Sequence, residues 1–299
     1  MHDADAAFEA AELARDTAKA AGRNQVKVYS HGNSEMAERK QQMQWVARIQ
    51  KAMRDDLFQI YCQDILPVRK DNNKYHFEIL LRMVGEDGEI ILPGEFIPTA
   101  ENYNLMSSLD RWVIENTFAR LQANGLAQHA REGLVSINIS GQSLNDEGLV
   151  EFIGEMFSRY ALAPECICIE ITETAAFGNL WRARDIIERV RDLGCHFSLD
   201  DFGAGLSSFS YLRELPVDYV KIDGSFVQKI ITDKISHAMV VSINQIGHVM
   251  GLKTVAEYVE DEHIRQQLEL IGVDYLQGYA ISKPQALEDY IAELGLTAV

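Results

Sequence analysis

A chain of 299 residues, 47% hydrophobic and 24% charged, has apolar material for one large core or two small ones, which excludes a disordered or fibrous protein. Its formal net charge of −17 argues against a nucleic-acid polymer as partner, because such binders need stripes of Lys and Arg to release counterions from phosphates. A small phosphorylated ligand remains compatible with that charge, since carboxylates hold divalent cations and those cations hold phosphate oxygens. No apolar run approaches the roughly 20 residues of a membrane span, and Met1-His2-Asp3-Ala4-Asp5 is acidic where a signal peptide is basic. The chain is therefore expected to be cytoplasmic, or the cytosolic end of something longer, with no membrane contact of its own.

Taken in order, residues 4–21 are Ala-rich and read as a helix that ends at Gly22-Arg23-Asn24. Gln25-Val26-Lys27-Val28-Tyr29 reads as a short strand, and residues 30–34 as a polar linker. A lone helix and strand cannot bury enough surface to stand alone, so residues 1–34 are not expected to be a domain of their own, and residues 35–299 are expected to be the domain. From there apolar runs alternate with amphipathic ones: helix 35–54, strands 58–65 and 75–82, helix 107–123, strand 134–139, helix 144–160, strand 166–171, helix 180–193, strands 196–199 and 219–222, helix 234–250, strand 253–256, helix 261–270 and strand 275–276. Eight strands with intervening helices point to an α/β fold, a (β/α)8 TIM-type barrel, with a doubly wound open sheet as the alternative. Of the cysteines Cys62, Cys166, Cys168 and Cys195, the alternating pair Cys166 and Cys168 is expected on one strand face as small core residues. The eight histidines are scattered and form no paired spacing with them, so zinc is not indicated.

The residues at the end of each apolar run carry the chemistry. Val135-Ser136-Ile137 leads to Asn138, and Cys166-Ile167-Cys168-Ile169 leads to Glu170 and then Glu173. Phe197-Ser198-Leu199 leads to Asp200-Asp201, and Asp218-Tyr219-Val220 to Lys221 and Asp223. Thr254-Val255-Ala256 leads to Glu257, and Asp274-Tyr275-Leu276 to Gln277, while Glu78 sits inside its own strand. Each alone has an ordinary explanation: a capped strand-to-helix turn at Asp200-Asp201, a solvated Lys221, a turn at Gln277-Gly278-Tyr279. As a series they would converge at one mouth of a barrel, where such folds keep their chemistry. Carboxylates gathered there repel unless cations neutralise them, and hard oxygen ligands select Mg²⁺, Mn²⁺ or Ca²⁺ over zinc or copper. The adjacent Asp200-Asp201 suits two ions, whose natural reaction is in-line displacement at phosphorus by a metal-bound hydroxide.

Phe58-Gln59-Ile60-Tyr61-Cys62-Gln63, Glu78-Ile79-Leu80-Leu81-Arg82, Pro93-Gly94-Glu95-Phe96-Ile97-Pro98 and Ser136-Ile137-Asn138-Ile139-Ser140 complete the pattern. With them go Glu170-Ile171-Thr172-Glu173-Thr174, Leu199-Asp200-Asp201-Phe202-Gly203, Val220-Lys221-Ile222-Asp223, Thr254-Val255-Ala256-Glu257 and Gln277-Gly278-Tyr279. Together they resemble the EAL domain family of cyclic di-GMP phosphodiesterases, over residues 44–294. The resemblance implies a modified barrel with one antiparallel strand, hydrolysis of cyclic di-GMP to linear pGpG with Mg²⁺ or Mn²⁺ (two per site), inhibition by Ca²⁺, and a homodimer. It implies that Glu78, Asn138, Glu170 and Asp200 hold one ion, and that Asp200 bridges to a second held also by Asp201. Lys221 would position the attacking water, Glu257 would hold or activate it, and Gln277 would hydrogen-bond nearby. Arg82 would contact the ligand phosphate and Gln63 lie beside the ligand. Glu173, grouped with the catalytic residues, would anchor the loop 201–208, which in the family links the metal site to dimerisation. Ala20-Ala21-Gly22-Arg23-Asn24-Gln25-Val26 resembles the end of a GGDEF domain, so residues 1–34 are expected to be its C-terminal remnant.

Met83, Asp64, Ala204, Leu206 and Tyr258 depart from the residues frequent in the family, and Ile79 stands where the name-giving motif has Ala. None removes a metal ligand. A catalytically silent receptor for cyclic di-GMP is the alternative, and the intact ligand set argues against it; another two-metal barrel phosphohydrolase is a third reading.

Overall fold

The computed structural model describes residues 34–69, 75–125, 133–205 and 209–294. The helix, strand and GGDEF remnant expected before residue 34 lie outside them. Helix α1 (Ser34–Arg54) leads into β1 (Phe58–Asp64), β2 (Leu66–Pro67), β3 (Tyr75–Val84) and β4 (Ile90–Ile91). Then come α2 (Pro93–Asn102), α3 (Met106–Ala123), β5 (Gly133–Asn138), α4 (Leu149–Tyr160), β6 (Ile167–Thr172), α5 (Glu173–Gly178) and α6 (Leu180–Asp192). Next are β7 (His196–Phe202), α7 (Phe209–Leu212), β8 (Tyr219–Ile222), α8 (Gly224–Val227), α9 (Lys234–Val249) and β9 (Lys253–Ala256). The described chain closes with α10 (Glu262–Ile271), β10 (Tyr275–Leu276), β11 (Gln285–Ala286) and α11 (Leu287–Glu293).

All eight expected strands form, and β3, β5, β6, β7, β8, β9 and β10 run parallel to one another in sequence order. β1 runs antiparallel to β3, with Gln63 opposite Glu78. The chain turns at Ile65 into β2, which pairs antiparallel with β10 (Leu276 opposite Leu66), so the two ends of the sheet meet and it curls into a TIM-barrel-like fold. The open-sheet alternative is set aside by that closing contact.

Alternation along the strands builds the two faces. Ile137, Ile169, Phe197, Leu199, Val220 and Ile222 are buried in one apolar cluster with Ile153 and Met156 of α4, Ile186 and Val190 of α6, Val240 and Ile243 of α9, and Leu268 of α10. The residues between them, Ser136, Glu170, Ser198, Asp200 and Lys221, are buried too but polar. The barrel interior is filled rather than hollow. His76 of β3 meets Tyr219 of β8 and Tyr275 of β10 at ring-centroid distances of 5.7 and 5.5 Å, although β3 and β8 are not neighbours in the sheet. His76 is hydrogen-bonded to Ser136 at 3.1 Å, and burial, then Lys221 and His196, push its imidazole down to about 3, so it stays neutral.

Several local expectations are corrected. The helix expected over 144–160 is a 3-10 turn, Ser143–Asn145, followed by α4 from Leu149. Asp146 breaks the run by accepting from the Gly148 N–H and from Arg111 Nη2 at 2.7 Å. Cys166 ends a 3-10 turn begun by Pro164, so only Cys168 stands in β6. All four cysteines are buried and free, as expected of small core residues, and burial pushes the Cys166 and Cys195 thiols up to about 12. Helix α2, unanticipated, starts with Pro93 in the first turn, where a missing N–H does no harm, and accommodates Pro98 further in. Among the described residues no helix is long and apolar enough to cross a membrane.

Candidate active site

Lys221 organises the site. Its position in β8, between Val220 and Ile222, points it into the barrel, where it is 1% exposed. A lone ammonium could not remain charged there. Its Nζ lies 2.8 Å from Glu170, 2.9 Å from Glu257, 3.2 Å from Glu78 and 3.2 Å from Asp200. Burial lowers the lysine's affinity for its proton, but those carboxylates outweigh it and hold the group well above its ordinary value. Five expected residues from β3, β6, β7, β8 and the end of β9 thus converge on one point.

One ammonium cannot satisfy so much negative charge. Burial and the Glu78 and Asp200 carboxylates lift Glu170 to about 7, against the pull of Lys221. Burial and Asp200 push Glu257 well above the ordinary carboxylate range. Burial favours the neutral form of Glu78 as well, yet Lys221 and hydrogen bonds from Gln277 and Asn138 hold its carboxyl below the usual value. The Glu78 oxygens are thereby fixed: Gln277 Nε2 donates at 2.7 Å and the Asn138 amide donates to the other oxygen. A half-turn of the Asn138 amide would aim its oxygen at the same spot, as an ion ligand requires.

Adjacent residues of a regular strand face opposite ways, which would split Asp200 from Asp201. The pairing of β7 with β8 shifts register between Leu199 and Phe202, and Asp201 adopts φ 54, in the left-handed region. This bulge keeps both carboxylates at the same mouth. The Asp201 N–H donates to Asp200 Oδ1 at 2.8 Å, and burial with Asp200 and Asp223 lifts the Asp201 carboxyl to about 6.

Ligand oxygens of Glu78, Glu170 and Asp200 lie within 4.8 Å of one another, and so do those of Asp200, Asp201 and Glu257. Two overlapping carboxylate groups that share Asp200 fit two divalent cations. A second observation agrees: Glu257 Oε2 and Gln277 Oε1 are buried at the site without a hydrogen-bond partner.

Of these carboxylates Glu78, Asp200, Asp201 and Glu257 line a cavity of about 440 Å³ together with Gln63, Arg82, Gln277 and Leu80, while Glu170 is buried beneath them. Gln63 donates to the Ser282 carbonyl at 2.8 Å, which presents its amide beside Gln277. Arg82 donates to the Leu81 carbonyl at 2.8 Å and lies over the Tyr61 ring at 5.3 Å. Glu173 is not among the clustered carboxylates: it accepts the Gly203 N–H at 2.7 Å, and so anchors the start of the loop after β7. Thr172, the cap of α5, accepts from the Ala175 N–H and sets that helix start. Asp223 caps α8 by accepting from the Ser225 N–H at 2.9 Å and has no place in the cluster.

Two residues escaped the sequence reading, Glu260 and Asp110. Glu260 lines the cavity, as does Tyr279, which was named only within a motif and given no role. Asp110, inside α3, is buried and accepts from the Ser140 N–H at 2.8 Å and the Ser143 hydroxyl at 2.6 Å, fixing the loop that follows Asn138. An acid on the apolar face of a helix, beside Leu109 and Val113, was the available signal for Asp110.

Comparison with known proteins agrees with this geometry. The EAL domain model matches residues 46–284. Cyclic di-GMP phosphodiesterase PdeB of Shewanella oneidensis is 40% identical over 280 residues, 94% of this chain and 32% of that protein. Cyclic di-GMP phosphodiesterase PdeF of Escherichia coli is 35% identical over 257 residues, 86% of this chain and 34% of that protein. The chain thus spans about a third of the length of these curated relatives. The PaMucR phosphodiesterase, solved as a c-di-GMP complex, superposes with a TM-score of 0.77 at 28% identity, covering 83% of this chain and 99% of that one. The FimX EAL domain of Pseudomonas aeruginosa, solved bound to c-di-GMP, gives 0.74 at 28% identity over 81% and 96% of the two chains. With its barrel and its clustered carboxylates, this chain belongs to the EAL domain family.

Proposed function

We propose that this chain is a phosphodiesterase that opens cyclic di-GMP to linear pGpG with two divalent cations, Mg²⁺ or Mn²⁺. The observation that carries this is the pair of carboxylate groups sharing Asp200 at the floor of an open cavity. Glu78, Asn138, Glu170 and Asp200 would hold one cation, and Asp200 and Asp201, with Glu257 beside them, the other. The cations supply Lewis acidity, drawing charge from the phosphate and making water a better nucleophile near neutral pH.

The chain's own residues do the rest. Lys221 holds the carboxylates in register and keeps one fixed positive charge beneath the phosphate. Glu257, a stronger base than an ordinary carboxylate and with one oxygen unpartnered, takes the proton of the attacking water. Water attacks phosphorus in line as the bond to the ribose 3′ oxygen breaks; that oxygen takes a proton from solvent to become a hydroxyl, and a 5′-phosphate is left on the linear product. Gln277 steadies Glu78, Arg82 binds a phosphate oxygen, and Gln63 lies against the ligand. A second, largely apolar cleft of about 730 Å³ adjoins at Leu80 and Asp201 and gives an extended dinucleotide room.

Ca²⁺ is expected to occupy the same oxygens without supporting turnover. The same reading gives a homodimer, a GGDEF-like remnant over residues 1–34 ahead of a phosphodiesterase barrel over 35–299, and a cytoplasmic setting, which four free, buried cysteines favour. Incubation with cyclic di-GMP and Mg²⁺ or Mn²⁺, followed by chromatography, should yield pGpG. Tight binding by calorimetry with no product under either metal would instead make the chain a receptor. Sedimentation at micromolar concentration tests the dimer.

A further inference from the structure

Tyr258 comes directly after Glu257 and is placed in a way that packing alone does not require. Its backbone stands at φ 52, in the left-handed region that favours glycine. Its ring lies against Gly224, so closely that a Cβ on that glycine would fall 2.2 Å from Tyr258 Cδ2. The residue nevertheless remains 58% exposed, on the wall of the cavity that holds Asp200, Asp201 and Glu257.

A tyrosine chosen for the core would be buried, and one left on the surface by chance would not need a strained backbone over a glycine seat. A ring backed by Gly224 and open to the cavity is a surface on which another flat ring can lie. Purine bases stack on such rings through dispersion and the hydrophobic effect, with little demand on hydrogen-bond geometry. Tyr279, also exposed and on the same cavity wall, adds aromatic surface there.

We propose that Tyr258 stacks against one purine base of the cyclic dinucleotide and is a specificity-determining residue for the reaction proposed above, on which this inference rests. The ring recognises the base, while the carboxylates and Lys221 act on the phosphate. The chemistry selected is therefore a phosphodiester with a planar base attached, in preference to a bare one.

The test compares wild type, Tyr258→Phe and Tyr258→Gly on two substrates, cyclic di-GMP and diethyl phosphate, a phosphodiester with no aromatic ring whose hydrolysis is followed by phosphorus NMR. Glycine suits the left-handed backbone, so the fold is retained, and a thermal melt checks it. Tyr258→Gly should raise KM for cyclic di-GMP about five-fold or more, the loss expected for one base stacked on an aromatic ring, with kcat little changed. Tyr258→Phe should stay within about two-fold of wild type, because the ring face is kept. On diethyl phosphate, which has no ring to stack, both variants should match wild type to the same margin. An unchanged or lowered KM for cyclic di-GMP in Tyr258→Gly would overturn the proposal, and so would an equal rise on both substrates. If wild type turned over neither substrate, the phosphodiesterase reading would fall. Calorimetric titration of cyclic di-GMP in Ca²⁺ would then decide the stacking separately: weaker binding by Tyr258→Gly supports it, and equal or absent binding in both proteins refutes it.

Discussion

The ammonium of Lys221 and the carboxylates around it are stable only as a set. Removing one partner of a buried ion pair leaves uncompensated charge and costs on the order of 3–5 kcal/mol. Lys221→Met in EDTA should therefore unfold at markedly lower urea concentration than wild type, and should lose turnover at least about a hundred-fold in Mn²⁺. Glu78→Ala should behave differently. It deletes one acid from a group with surplus negative charge, which offsets part of the cost of stranding the Asn138 and Gln277 amides, so chemical denaturation in EDTA should show a smaller loss of stability than Lys221→Met. Turnover should still fall by about a hundred-fold or more, because an ion ligand and the anchor of Asn138 and Gln277 go with it. Wild-type turnover by Glu78→Ala would rule out its assigned role.

At the scale of elements, much of the site was legible because polar residues recur where strands end, and period-2 alternation assigns them to one face. Lys221 and Glu257 fall where that logic puts them. The same logic fails at Asp200 and Asp201, which alternation would separate. The bulge in β7 that reunites them depends on the register of β8, a long-range fact that no local pattern carries. Helix α2 was hidden for a related reason: Pro93, Gly94 and Pro98 read locally as a loop, and burial of Phe96 and Ala100 overrides that propensity. The turn after β10 is equally constrained. Gly278 has φ 153, and a Cβ there would lie 2.2 Å from the Val259 N atom, which is backbone and cannot step aside. Gly278→Ala should destabilise by at least about 2 kcal/mol in urea melts and reduce turnover, since it displaces Gln277 from Glu78. Asp110→Ala should cost about 1–3 kcal/mol by stranding the Ser140 N–H and the Ser143 hydroxyl, and should loosen the loop behind Asn138.

For the molecule as a whole, the expected barrel order holds, and the one antiparallel strand implied by the resemblance is β1. Its pH response is set by the crowded acids. Glu170 at about 7 and Asp201 at about 6 both titrate above their unfolded values near 4. The folded state thus binds more protons than the unfolded one between roughly pH 4.5 and 7, and stability falls as pH rises through that window. Without divalent ions the thermal midpoint should be higher at pH 5.5 than at pH 8. Mg²⁺ or Mn²⁺ should raise it far more at pH 8, where the carboxylates are free of protons, than at pH 5.5. A midpoint that rose from pH 5.5 to 8 in EDTA would contradict the clustered acids.

A lysine seated among those acids separates maturation from metal supply. Many small metalloproteins are shapeless until their ion arrives. Here Lys221 places a positive charge among the carboxylates that the proposed reading gives to the ions, so on that reading the chain is expected to fold without them and to stand assembled but inactive. Supplying the ions would then start the proposed chemistry by entry into an open cleft, with no refolding step in between.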